Sequence, residues 1–168
     1  NQLLAAAKAG ALVADSASAL TGLTPAQIEA AAQAAKERGL NGKWLLPLQN
    51  TTQQPLLESL TNHDTRQKLF EASLNRAEHG DANDTRNIIR EIASLRAKKA
   101  ALFDYSTWAD YTLYDQMAKD RSTAIGFLDR LAPAVSAKQH QEAADIRALA
   151  KSQGAAFQVT PADWNFYA

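Results

Sequence analysis

Residues 23–42 read LTPAQIEAAAQAAKERGLNG, a helix written out from start to stop. Thr24 offers a side-chain oxygen for the N-cap, and Pro25 suits the first helical position, where its missing N–H has no partner to lose. Gln27 stands where a capping box needs an acid or an amide. Ile28, Ala31, Ala32 and Ala35 recur at three and four and so share one narrow face. Basic residues fill the last turn, where they meet the negative end of the helix dipole, and Gly39 stops it.

Working outward, the same logic makes most of the chain helical. Residues 2–10 are rich in Ala and Leu and close at Gly10; ALVAD (11–15) is a brief extended stretch or irregular. KWLLPLQNTTQQP (43–55) breaks the helical pattern. Its short apolar run with Pro47 inside predicts an edge strand near residues 43–50, since proline is tolerated at a sheet edge and not in its middle. The chain offers that strand few partners, so its partner is expected outside these residues. From Pro55 onward helices resume. Leu56, Leu57, Leu60, Leu69, Phe70, Leu74 and Ala77 fall at helical spacing, with a break at TNHD (61–64). Asp84 is placed to cap a helix bearing Ile88, Ile89, Ile92, Leu95 and Leu102. Ser106 is placed to cap a shorter one with Trp108, Tyr111, Tyr114 and Met117. A long helix then carries Ile125, Leu128, Leu131, Val135, Ile146 and Leu149, and Pro133 is expected to kink or split it. At the end, TPADWNFYA (160–168) repeats the opening signal: Thr160 as cap, Pro161 first, Asp163 at the box position. The predicted fold class is mainly α, a helical bundle-like segment with one short edge strand, and residues 1–168 form a single helical region.

Composition narrows the function. The 168 residues are long enough to bury a real core. Lys and Arg total 18, as do Asp and Glu, which argues against nucleic acid or an anionic membrane as the main partner. With no cysteine there is no disulfide, thiol nucleophile or thiolate zinc site. No stretch approaches a membrane span, and the N-terminus lacks the pattern of a signal peptide. A cytoplasmic location is the expectation.

The residues themselves show no active site. His63, His79 and His140 are far apart, and without an H-x-x-x-H pair no single helix presents two imidazoles to a metal. Each reads as a surface or capping histidine. Asp64 with Lys68 and Asp110 with Tyr114 are ordinary helix neighbours. GLNGK (39–43) lacks the ending of a phosphate loop, and no G-x-S-x-G is present. Trp108, Tyr111 and Tyr114 read as packing at helical spacing.

Read in order, however, the segments resemble a known family. The strand with LLPL, then QQPLL, the arginine in DTRQKLFEA, NRAEHGDANDT, the Ile-rich helix ending LRAKKAAL, the MA after an aromatic helix and DWNFYA together resemble the thimet-oligopeptidase-like zinc metallopeptidases. Within that family the pattern is most similar to the peptidyl-dipeptidase (dipeptidyl carboxypeptidase) branch. The likeness covers nearly the whole chain. It departs at Phe103-Asp104, where the family usually has Leu-Gly, so Asp104 must adopt a conformation that glycine takes freely. Leu74-Asn75 likewise replaces what tends to be a bulkier residue.

The resemblance implies a zinc-dependent peptidase that hydrolyses short peptides and releases C-terminal dipeptides. In such enzymes an H-E-x-x-H helix binds zinc beyond the segment resembled here. No catalytic, cofactor-binding or metal residue is therefore assigned in this chain, and zinc belongs to the parent enzyme. The implied role is a piece of the non-catalytic helical half, walling a channel narrow enough to exclude folded proteins. Its partners would be short peptides and the missing catalytic half, with no nucleic acid or membrane. Both ends look cut, since NQLLAAAKAG starts without a cap and DWNFYA begins a helix as the chain stops. The alternative is a free-standing, non-enzymatic helical interaction module.

Overall fold

A computed structural model describes residues 2–168, with the side chains of residues 2 and 50–54 left aside. Among the described residues the architecture is mainly α. The helices are α1 (Gln2–Ala9), α2 (Pro25–Lys36), α3 (Asn50–Ser59), α4 (His63–Leu74), α5 (Arg86–Ala101), α6 (Trp108–Leu113), α7 (Arg121–Ser152) and α8 (Trp164–Tyr167). One small sheet pairs β1 (Leu12–Ala14) with β2 (Trp44–Leu46).

Several local expectations are met. Thr24 and Gln27 close both halves of the predicted capping box on α2, and Leu40 N–H donates back to Ala35 O beyond Gly39. Asp104 takes φ +60°, the glycine-like conformation expected of it. Other expectations need correcting. The edge strand is confined to Trp44–Leu46, and its partner lies inside the chain: β1 runs antiparallel to it, Val13 opposite Leu45. Pairing across thirty residues satisfies the backbone of ALVAD, which its composition alone left undecided. α3 begins at Asn50 and takes Pro55 inside it, with Leu56 and Leu57 buried in the core. Pro133 does not split α7, which runs unbroken from Arg121 to Ser152; one absent backbone hydrogen bond is a small part of so long a helix. Thr107, not Ser106, caps α6, and both hydroxyls donate to Asp110.

The chain divides into two compact units, residues Asn1–Thr85 with Ile146–Ala168, and Arg86–Asp145. The first holds a core of Leu20, Leu46, Leu48, Leu57, Leu60 and Leu69, against which Ile28, Trp44 and Phe70 pack. A tight turn feeds it. Leu23 N–H donates to Leu20 O, Thr21 has φ −57° and ψ 137°, and Gly22 has φ +94°, the geometry of a type II turn.

The second unit is built differently. Rings link α6 to the end of α5: Tyr111 stacks on Phe103 at 5.2 Å and meets Tyr105 edge-on at 5.6 Å. Lys99 Nζ lies 5.4 Å from the Tyr111 ring, and the Arg96 guanidinium 5.6 Å from Trp108. Asp110 then accepts the Arg121 amide at the start of α7. Yet between residues 86 and 145 Ala100 alone is buried. With so little apolar surface removed from water, conformational entropy is poorly opposed. Hydrogen exchange at low protein concentration should therefore be faster in α5 and in residues 121–145 of α7 than in α2 and α4, on the order of tenfold or more. Equal protection in the two units, read by mass spectrometry, would count against this.

Candidate functional site

Two of the segments singled out in the sequence, DTRQKLFEA and DWNFYA, meet in space around Arg66 and Asp163. α4 starts with Asn62, whose side chain accepts the Thr65 amide and so sets the helix direction. Arg66 lies four positions past the cap, so one turn later its side chain is inside the first unit, 1% exposed. At the other side Thr160 and Pro161 open a short 3₁₀ turn, Pro161–Asp163, that leads into α8. The turn delivers Asp163, fully buried, opposite Arg66.

The contacts satisfy both charges. Arg66 donates to Asp163 Oδ1 from Nε at 3.0 Å and from Nη2 at 2.7 Å, and its Nη1 donates to Leu60 O at 2.6 Å. Asp163 Oδ2 accepts the Thr160 amide at 2.9 Å, completing the predicted capping box. The Thr160 hydroxyl stands 2.7 Å from Gln67 Oε1 and 3.1 Å from Asp163 Oδ2, with one proton to donate between them. His63 Nδ1 lies 2.9 Å from Asp163 Oδ1. Its ring stacks on Phe157 at 3.8 Å, and the Arg66 guanidinium lies 4.1 Å from the centre of the Phe166 ring. The surface or capping reading of His63 is thus corrected: it is the first residue of α4, and its ring is part of this cluster. His140 keeps its place on an exposed helical face, with Nδ1 2.7 Å from Ser136 O, and His79 is exposed.

Burial works against the charged form of Asp163, but the Thr160 amide, Arg66 and His63 outweigh it. Together they hold the carboxyl below its ordinary value of 3.8. A carboxylate with a depressed folded pKa contributes stability that is complete above the unfolded value and lost as pH falls through the folded one. The docking of residues 155–168 should therefore hold at neutral pH and loosen once pH drops below about 4. NMR signals of Phe157 shifted by the His63 ring report it; their survival unchanged far below that pH would contradict the assignment.

Chemically, this arrangement is a clamp. The carboxylate is saturated by donors, and the guanidinium is covered by rings. Zinc does not fit the donor set: among the described residues no group of three or more His, Asp or Glu could hold a metal ion, and His63 Nδ1 is committed to Asp163. A shallow apolar groove of about 260 Å³ lies elsewhere in the first unit, between Ala30, Ala31 and Ala34 of α2 and Leu45, Pro47 and Pro55. It contains no titratable group. No described helix is long and apolar enough to cross a membrane.

The sequence pattern of the family described as "Peptidase family M3" matches residues 56–168, a span that includes both Arg66 and Asp163. The dipeptidyl carboxypeptidase of Escherichia coli K12 is 44% identical over 167 residues, 99% of this chain and 24% of its own length. The dipeptidyl carboxypeptidase of Salmonella typhimurium is 41% identical over 167 residues, covering 25% of its length. An organellar oligopeptidase A of Arabidopsis thaliana is 31% identical over 152 residues, 87% of this chain and 19% of its own. The chain thus spans a fifth to a quarter of the length of these relatives. With one family pattern covering most of the chain and 44% identity to a curated relative along nearly all of it, the chain belongs to peptidase family M3.

Proposed function

We propose that these 168 residues are a segment of a zinc-dependent peptidyl-dipeptidase, from the helical half that lacks the catalytic centre. The parent hydrolyses short peptides and releases C-terminal dipeptides, and this segment walls its substrate channel. The observation that carries the reading is the match over 99% of this chain to a dipeptidyl carboxypeptidase of which it covers 24%. The uncovered apolar side chains of α5 and α7 support it, because surface of that kind is normally covered by further polypeptide. On this reading the segment serves by position. Arg66 and Asp163 fix where α8 starts within the first unit, and no bond-breaking step runs through the residues described.

The deciding experiment is to read the gene beyond the codon for Ala168. An H-E-x-x-H within the next few hundred codons supports the proposal, and a stop codon at once sinks it. A second reading, a free-standing helical interaction module, is favoured by one feature: the first unit has its own buried core. It fails on the same experiment if the H-E-x-x-H appears.

A further inference from the structure

Between α2 and β2 the chain turns at Leu40–Lys43, where Lys43 N–H donates to Leu40 O at 3.3 Å. Gly42 stands third in this turn with φ +78° and Asn41 keeps a negative φ, so the turn is type II. Asn41 and Gly42 are both exposed. Among the described residues neither the Asn41 side chain nor the Gly42 amide has a hydrogen-bond partner. Nothing lies within 4 Å of where a Cβ on Gly42 would stand. The peptide plane between the two residues is therefore free to rotate, and no side chain shields its nitrogen. Unlike the apolar stripes of α5 and α7, this turn shows water polar side chains, with Arg38, Asn41 and Lys43 all exposed.

We propose that Asn41 is a self-modification site, at which the folded chain converts asparagine to isoaspartate. Hydroxide takes the Gly42 amide proton, and the nitrogen attacks Asn41 Cγ to close a succinimide ring. The bond from Cγ to the side-chain nitrogen breaks, and that nitrogen leaves as ammonia. Water then opens the ring. Addition at the Asn41 main-chain carbonyl gives isoaspartate, and addition at Cγ gives aspartate. Water is the one co-reactant, and nothing is oxidised or reduced. Several observations single out this position. Asn41 is the one asparagine followed by glycine. Asn62 is held as the α4 cap, and Asn87 and Asn165 lie in helices. Gln153–Gly154 is an internal comparison, because Gly154 has a similar φ of +79° and equally open space. Its amide, however, donates to Lys151 O at 3.1 Å, and glutamine must close a larger ring. The product at residue 41 adds a negative charge two positions from Lys43, whose Nζ pairs with Asp15 at 2.8 Å. It also adds one backbone carbon to the turn that leads into β2. The inference uses nothing from the peptidase reading and stands or falls apart from it.

The test is to incubate the 168-residue chain at mildly alkaline pH, where its helical circular dichroism holds, and to map the products by peptide mass spectrometry. The expected result is conversion of amide to acid at Asn41, mainly as isoaspartate, at a rate that rises in proportion to hydroxide. Gly42→Ala should slow the conversion at least about tenfold, because a Cβ obstructs the attack and restricts the rotation. Asn41→Gln should abolish it. A short peptide carrying Leu40–Lys43 sets the unrestrained rate, and the folded chain should react within about tenfold of it, since nothing in the turn holds the Gly42 nitrogen. A folded chain that stays intact while the peptide reacts overturns the proposal, because the turn then protects Asn41. Conversion at other asparagines as fast as at Asn41, or a rate indifferent to Gly42→Ala, overturns it as well.

Discussion

Asp163→Ala should lower the unfolding free energy by about 3–5 kcal/mol, the usual result of stranding a buried charge. The magnitude comes from what is left behind. Arg66 is 1% exposed and gives two of its three hydrogen bonds to Asp163 Oδ1, so the substitution leaves a guanidinium inside the first unit with Leu60 O as its remaining hydrogen-bond partner. His63 and the Thr160 amide lose an acceptor in the same step. Arg66→Met should be milder, because methionine fills much of the volume against Phe166, and Asp163 keeps Thr160 and His63. The double variant should cost clearly less than the two singles added, since the stranded charge is then gone. Urea denaturation of the four chains measures the coupling. Strict additivity would show that the pair is not acting as a unit.

Gly22→Ala should be nearly as damaging, at about 3 kcal/mol or more, for a reason located in the backbone. A Cβ on residue 22 would stand 2.1 Å from Ser59 O and 2.7 Å from Thr61 N. Neither atom is the end of a flexible side chain, and Thr61 N–H also donates to Thr21 O at 2.9 Å across the same contact. To admit a methyl group the turn must withdraw from the end of α3, and the fully buried Leu20 and Leu60 lie on either side. The φ of +94° adds its own strain for any residue with a side chain. Gly42→Ala is the control. It has a positive φ of 78° but nothing within 4 Å, so it should show the conformational penalty alone, about 1 kcal/mol. If the two variants unfold at the same denaturant midpoint, the close approach contributes nothing.

These two effects differ in how far the sequence announces them. The helices, their caps at Thr24, Asn62 and Thr160, and the strain at Asp104 depend on residues within four or five positions of each other. Spacing and residue type therefore decide them before any tertiary contact exists. The family likeness belongs to the same class, as an ordered series of such local patterns. The sequence could also mislead at this range. Pro55 and Pro133 signal a break locally, yet both helices continue through them. Ser106 and Thr107 are chemically alike, and only the backbone direction selects the second as the cap.

The amino-acid order by itself thus determined the mainly α architecture, most helix starts and stops, and membership of a peptidase family. Tertiary structure alone decided the pairing of Leu12–Ala14 with Trp44–Leu46, the close approach at Gly22, and the meeting of Arg66 and His63 with Asp163 across about a hundred residues. The physical reason is range. Capping and helical spacing are enforced by fixed backbone geometry within a turn or two, and can be read from neighbours. A buried ion pair or a strand register is chosen by which distant groups can satisfy each other once water is excluded, and no short window of sequence contains both partners.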